Sequence, residues 1–156
     1  TFRDRILFAW SWDAAKASQY VDRVVLSTED SQIKAFAEAI GIEVIARPPE
    51  LATDDALNED VLRHALQIYP APWVVLLQPT SPLRNRDDID ICLEIARVTD
   101  SCLTVRHDRT KNGAVYVARS WWLEKHTFMD CRSYHTMPME RSLDIDYAHQ
   151  VEAVAA

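Results

Sequence analysis

Glycine is nearly missing from this sequence. There are 2 in 156 residues, where ordinary usage of roughly 7% would supply about 11. Proteins that bind nucleotides on an α/β scaffold usually place glycine where backbone meets phosphate. The expectation is that glycine-rich segments of the whole protein lie outside these residues, and that some sequence neighbours flank a junction; the first residue is Thr1, not methionine. Cysteine is sparse too. Cys92, Cys102 and Cys131 are odd in number and form no CxxC pair, which excludes a zinc framework and suits reduced thiols in a cytoplasmic protein. No apolar run approaches the ~20 residues of a membrane span. A basic n-region followed by an apolar h-region is also lacking, so neither a membrane anchor nor a signal peptide is expected. Basic residues are the minority, 17 against 24 acidic, for a net charge of −7. A broad nucleic-acid footprint is thereby excluded, while a small anionic substrate held through a metal is not. Repeats, low-complexity tracts and linkers are absent, so a single domain over 1–156 is expected.

What is present centres on Trp73 to Arg84, WVVLLQPTSPLR. Five apolar residues in succession, bounded by proline, read as a strand buried on both faces, as in a parallel sheet covered by helices. Pro79 and Pro82 cannot extend a central strand, so the chain turns at Gln78. Asp87 and Asp88 suit the first turn of a helix whose apolar stripe is Ile89, Cys92, Leu93 and Ala96. Gln78 to Arg84 then lies at the carboxyl end of a central strand, where open α/β sheets bind ligands.

Upstream, Leu7, Trp10, Ala14, Ala17 and Val21 fall on one helical face. Val24 to Leu26 is a short strand, and Ser27-Thr-Glu-Asp30 carries helix-start chemistry. Ile33, Phe36, Ala37 and Ile40 mark the buried side of the helix that follows, closed by Gly41 as a left-handed cap. Ile42 to Ala46 is the next strand, with Arg47 at its carboxyl end. Asp54 and Asp55 lead into a helix lined by Val61, Leu62, Ala65, Leu66 and Tyr69. This order predicts an α/β fold: a three-layer, mostly parallel Rossmann-like sheet with helices on both faces. Downstream, Cys102 to Val105 and Ala114 to Ala118 are strands. Asn112-Gly113 between them is either a hairpin turn or a place where backbone passes close to a ligand. Trp121 and Trp122 cannot both face one core. Tyr147, Val151 and Val154 have helical spacing.

Taken together, Ser27-Thr-Glu-Asp30, Arg47-Pro-Pro-Glu-Leu-Ala52, Gln78-Pro-Thr-Ser-Pro-Leu-Arg84, Asn112-Gly-Ala-Val-Tyr116 and Glu140-Arg-Ser-Leu-Asp-Ile-Asp146 resemble, in order, the acylneuraminate cytidylyltransferases. The resemblance runs from about Leu7 to Val154. It implies a nucleotide-diphospho-sugar transferase-like fold and transfer of CMP from CTP to a nine-carbon 2-keto acid sugar, with release of pyrophosphate and a need for Mg2+ or Mn2+. It also implies a homodimer, a basic glycine-rich loop before Thr1, and a dimerisation arm whose junction falls within about residues 106–111. The alternatives are a catalytically inactive nucleotide-binding relative, or a nucleotidyltransferase for another sugar.

Asp144 and Asp146 are two apart, so in an extended segment both carboxylates point one way. That suits a hard cation, and the resemblance makes the pair the catalytic metal ligands; otherwise Asp146 caps the last helix and Asp144 is solvated. Arg47 matches an arginine on the nucleotide, against a plain ion pair with Glu50 or Asp54. Asn58 matches a polar residue at the cytosine, against a helix N-cap. Gln78, Asn112 and Tyr116 match residues lining the sugar pocket, and Phe128 matches an aromatic packed on the sugar's acyl group. Arg84 and Arg141 can meet carboxylate or phosphate and receive no role. Gln78-Pro-Thr-Ser fits sialic or legionaminic acid better than an eight-carbon sugar.

Overall fold

A two-residue period organises the middle of the molecule. The computed structural model describes residues 2–145. In β5 (Lys111–Arg119), Val115 and Val117 join one hydrophobic cluster while Tyr116 and Ala118 join another, as alternation along a strand requires. The first cluster is roofed by α4 (Arg86–Thr99), whose Ile89, Cys92 and Ala96 are fully buried, with Ala14 of α1 (Leu7–Ala17) beside them. The second is roofed by Leu62 of α3 (Asn58–Ile68) and by Trp122 and Leu123 of α5 (Ser120–Leu123). Helices therefore cover both faces. Each fully buried aliphatic side chain stabilises this arrangement by about 1.5–3 kcal/mol.

The sheet under those helices runs β3 (Trp73–Leu76), β5, β4 (Ser101–Val105), β6 (Tyr134–Thr136). Its pairings are mixed, not mostly parallel. β5 is antiparallel to both β3 and β4, and β4 is parallel to β6. The reason is the short connection between β4 and β5. Arg106 N–H donates to Thr110 O at 2.8 Å, Arg109 takes φ +66°, and so tight a return forces neighbouring strands to run in opposite directions. β3 has β5 as its one hydrogen-bonded neighbour among the described residues and is half-buried along its length, short of the burial expected on both faces. A second, parallel pair joins β1 (Val25–Thr28) to β2 (Glu43–Ala46). It packs on α2 (Ser31–Ala39) and α1 through Ala37, Ile42, Phe8 and Ala9.

Local chemistry sets the helix ends. Asp30 caps α2 by accepting from Gln32 N–H and Ile33 N–H, while Ser27 and Thr28 belong to β1. Gly41 has φ +81° and closes α2 in the left-handed region, as expected. Phe36 and Ile40 are nevertheless exposed, because α2 lies on the edge of a two-stranded pair. In α1 the buried set is Phe8, Ala9, Ser11, Ala14 and Ala15, so the face is turned from the Leu7–Trp10–Ala17 stripe. Trp122 is buried and Trp121 exposed. No helix among the described residues is long and apolar enough to cross a membrane. Asp146 and the helical spacing after it lie outside the described residues.

Candidate active site

The loop leaving β3 is folded over a buried cation. Ser81 N–H bonds to Gln78 O and Arg84 N–H to Ser81 O, each at 3.4 Å, two successive turns at a segment punctuated by Pro79 and Pro82. Arg84 then runs back beneath the loop. Its Nε donates to Ala114 O at 2.8 Å, and its Nη2 donates to Gln78 O at 2.5 Å and to Ser11 Oγ at 3.0 Å. One planar guanidinium thus ties the loop to β5 and α1, which a single ammonium could not do. Burial lowers its pKa to about 10, with Asp88 and Asp144 pulling the other way, so it is a cation at neutral pH.

Above that anchor lies a crevice. Gln78 Nε2 faces Asn58 Oδ1 at 3.5 Å, the long end of a hydrogen bond. Asn58 is the first residue of α3, whose N-cap position is Leu57, so Asn58 does not cap the helix. The Gln78 amide oxygen lies directly over Gly113, where a methyl group would overlap it. Asp144 Oδ2 is 3.8 Å from that same methyl position. Asn112-Gly113 is not the hairpin turn, which falls at Arg106–Thr110; Gly113, with φ +73°, sits within β5, and it is the Gln78 side chain that comes close to it. Asp144 is held there by Ser81 Oγ, which donates to its Oδ1 at 3.4 Å, and by Ile145 N–H, which donates to Thr80 O at 2.8 Å. Tyr116 packs in the second cluster against Phe128, within electrostatic reach of Asp144. Burial raises its phenol pKa, and the charges of Asp144 and Glu59 raise it further.

Gln78, Asn58 and Asp144 are therefore brought together, with Tyr116 in the core nearby. Three other expectations need correcting or placing. Asn112 does not line a pocket. Its side chain is fully buried, with Oδ1 accepting from Thr104 Oγ1 at 2.6 Å and from Ala114 N–H at 3.2 Å. Its Nδ2 faces Met137 Sδ at 3.2 Å, so both ends of the amide are engaged within the core next to Gly113. Phe128 is likewise core, 3% exposed and packed on Tyr116 and Trp122; its backbone N–H is held by the buried Glu59. Arg47 folds back on the end of β1, with Nε donating to Ser27 Oγ at 3.2 Å and Nη1 3.9 Å from Glu29. Its ion partner is neither Glu50 nor Asp54, and its polar contacts do not reach the Gln78 crevice.

Ser81 and Glu59 are the site residues that the sequence alone did not single out. Ser81 sits inside the same Pro-Thr-Ser-Pro run as Gln78, and that adjacency was its only signal.

The donor set in the crevice is all oxygen. Asp144 supplies a half-buried carboxylate, with the Ser81 hydroxyl and Gln78 amide oxygen beside it and no thiolate or imidazole among the described contacts. No group of three or more His, Cys, Asp or Glu side chains forms a metal cage among the described residues. One carboxylate with open oxygen positions fits Mg2+ or Mn2+, which keep waters and take substrate phosphate oxygens, and does not fit zinc.

Beside the crevice, Asp88 is fully buried and accepts from four donors: Asn85 N–H at 3.1 Å, His135 Nε2 at 3.0 Å, and Arg141 Nε and Nη2 at 3.2 and 2.9 Å. Burial alone would raise its pKa. The bonds from His135, Arg141 and Asn85 outweigh burial and take it from 3.8 to about 2. A depressed carboxylate contributes stability that is full above its ordinary value and lost as pH falls through the folded one. Urea midpoints should therefore drop between about pH 4 and pH 2, and Asp88→Asn should flatten that part of the curve; an unchanged acid limb would contradict the assignment.

Comparison with known proteins fits this geometry. A family model described as Cytidylyltransferase matches residues 1–116. An N-acylneuraminate cytidylyltransferase of Escherichia coli O18:K1:H7 (strain RS218 / NMEC) is 40% identical over 87 residues, 55% of this chain and 21% of the relative. One from Streptococcus agalactiae serotype V (strain ATCC BAA-611 / 2603 V/R) is 28% identical over 175 residues, 86% of this chain and 42% of the relative. The chain thus spans less than half the length of these curated relatives. A solved cytidylyltransferase structure from Leptospira borgpetersenii serovar Hardjo-bovis (strain JB197) shares the fold, with TM-score 0.60 and 17% identity, covering 97% of this chain and 62% of that one. With a match across residues 1–116 and a site assembled at the mouth of β3, the chain belongs to the cytidylyltransferase family.

Proposed function

We propose that this protein transfers CMP from CTP to the anomeric hydroxyl of a nine-carbon 2-keto acid sugar of the sialic or legionaminic acid type, acting as a homodimer. The observation that carries the reading is the meeting of Asp144, Gln78 and Gly113 in one crevice at the carboxyl end of β3. The anomeric hydroxyl gives up its proton to solvent as its oxygen forms a bond to the α-phosphorus, the bond from that phosphorus to the α,β-bridging oxygen breaks, and pyrophosphate leaves. A divalent cation, when bound, supplies neutralisation of phosphate charge. Asp144, with Asp146 as its proposed companion, is the residue to hold that cation. Gln78 offers both a donor and an acceptor, and its Nε2 faces Asn58 Oδ1 at 3.5 Å. Tyr116 stays protonated well beyond neutral pH and so presents a hydroxyl donor. Bare Gly113 makes room for the Gln78 amide against the strand. Catalysis here is positioning and electrostatics. Arg47 remains the proposed nucleotide contact, and it must leave Ser27 to serve as one.

The test is pyrophosphate release measured with each of the four nucleoside triphosphates against nine-carbon and eight-carbon keto acid sugars. Turnover with CTP and a nine-carbon acid alone is expected. Asp144→Asn should lower it by a factor on the order of 100 or more. Preference for another nucleotide, or near-normal rates in Asp144→Asn, would remove the reading.

A further inference from the structure

The crevice is built from two segments far apart in sequence. Gln78 and Ser81 sit on the loop before α4; Asp144 sits on the segment after β6. Each segment ends on the same carboxylate. Asp88, in the first turn of α4, closes the loop side by accepting from Asn85 N–H, which in turn lets Asn85 cap the helix. The same Asp88 accepts from His135 in β6 and takes both bonds of Arg141, three residues before Asp144. Arg141 lies in a short 3-10 turn, Met139–Arg141, which has no side-chain cap of its own. The exposed Glu140 is 3.9 Å from it, and the charge of Asp87 acts on it as well.

We propose that Asp88, with Arg141 and His135, is a positioning device that sets the distance between Asp144 and the Gln78–Ser81 loop. Asp88 touches no substrate. It acts through Arg141, and the metal part of its effect rests on the reading of Asp144 as a metal ligand. A bidentate guanidinium–carboxylate pair fixes orientation as well as distance, and Asp88 is sealed from water, so the pair does not exchange freely with solvent. Beyond it, one backbone bond, Ile145 N–H to Thr80 O at 2.8 Å, carries the setting to the loop.

That bond gives a readout independent of catalysis. Amide hydrogen exchange of Ile145 should accelerate at least tenfold in Asp88→Asn, while exchange of Val115 and Val117 in β5 changes much less. Arg141→Lys keeps the charge and loses the two-point contact, and should fall between Asp88→Asn and the unaltered protein. It serves also as the variant to read if Asp88→Asn does not fold. Mn2+ affinity, followed by electron paramagnetic resonance, should weaken by about tenfold in either variant, the usual scale for a lost supporting contact. Equal acceleration at Ile145, Val115 and Val117 would make the cluster an ordinary stabilising ion pair and overturn the proposal. If Asp144→Asn binds Mn2+ as the unaltered protein does, the ligand reading of Asp144 fails, and the exchange comparison alone still decides the positioning role.

Discussion

Gly113→Ala is expected to reduce catalytic efficiency about 100-fold, the scale on which a misplacement near 1 Å acts. Two effects combine. The backbone at Gly113 has φ +73°, which an alanine occupies at a cost of about 1–2 kcal/mol. The new methyl group would also coincide with the Gln78 amide oxygen. β5 is paired on both sides only from Tyr116 to Ala118, but next to Gly113 the Ala114 carbonyl is held by Arg84 and the Ala114 N–H by Asn112, so the Gln78 side chain is what yields. Gln78 then loses Asn58 and turns out of the crevice it shares with Asp144. Gly41 separates the two effects. It has a similar φ, +81°, with nothing within 4 Å of an added methyl group. Gly41→Ala should show the same loss of stability in urea and almost none of the loss in turnover. Were both variants equally slow, backbone strain alone would account for Gly113, and Gln78 would have no place in the site.

That residue also marks how far the sequence could be read. Asn112-Gly113 left two possibilities; the turn lies instead at Arg106–Thr110, and the side chain that fills the space at Gly113, Gln78, lies on another strand's end and leaves no mark in the local pattern. The α4 stripe was fully legible because its information is local: a 3.6-residue period and acids in the first turn. The same locality misleads at Asp88. An acid in a helix's first turn reads as a solvated complement to the dipole, yet here it is buried by His135 and Arg141, 47 and 53 residues away. Asn112 and Phe128 fail for a related reason. Their types suit a sugar pocket, but burial depends on which strands pair and in which direction. The connection between β4 and β5 holds no Gly or Pro to announce a tight return. Asp144 was legible as chemistry, through its type and the motif around it, and the fold supplied its neighbours.

Arg84 shows how a site loop can govern stability as well as chemistry. Arg84→Met should lower stability by about 3–5 kcal/mol, the range seen when one partner of a buried charged network is removed. In a protein of this size that corresponds to a fall in Tm of about 10 °C or more. Replacing a buried cation by an apolar side chain is often harmless when its partners are replaced with it. That escape is closed here. Two of the acceptors are backbone carbonyls, Ala114 O and Gln78 O, and no substitution removes them. Ala114 O would be left buried without a donor, at about 1–3 kcal/mol, and Gln78 O would keep only the 3.4 Å bond from Ser81 N–H. Arg84→Lys should recover only part of the loss, since a point charge cannot span strand, loop and α1 together. The size of the effect should not change between about pH 5 and pH 9. With a folded pKa near 10 the group is charged in both states throughout that window. Differential scanning calorimetry at several pH values reads all three expectations. A shift in Tm below about 3 °C for Arg84→Met would mean that the loop after β3 keeps its shape without the cation beneath it, and the crevice would then owe its geometry to Asp144 and Ser81 alone.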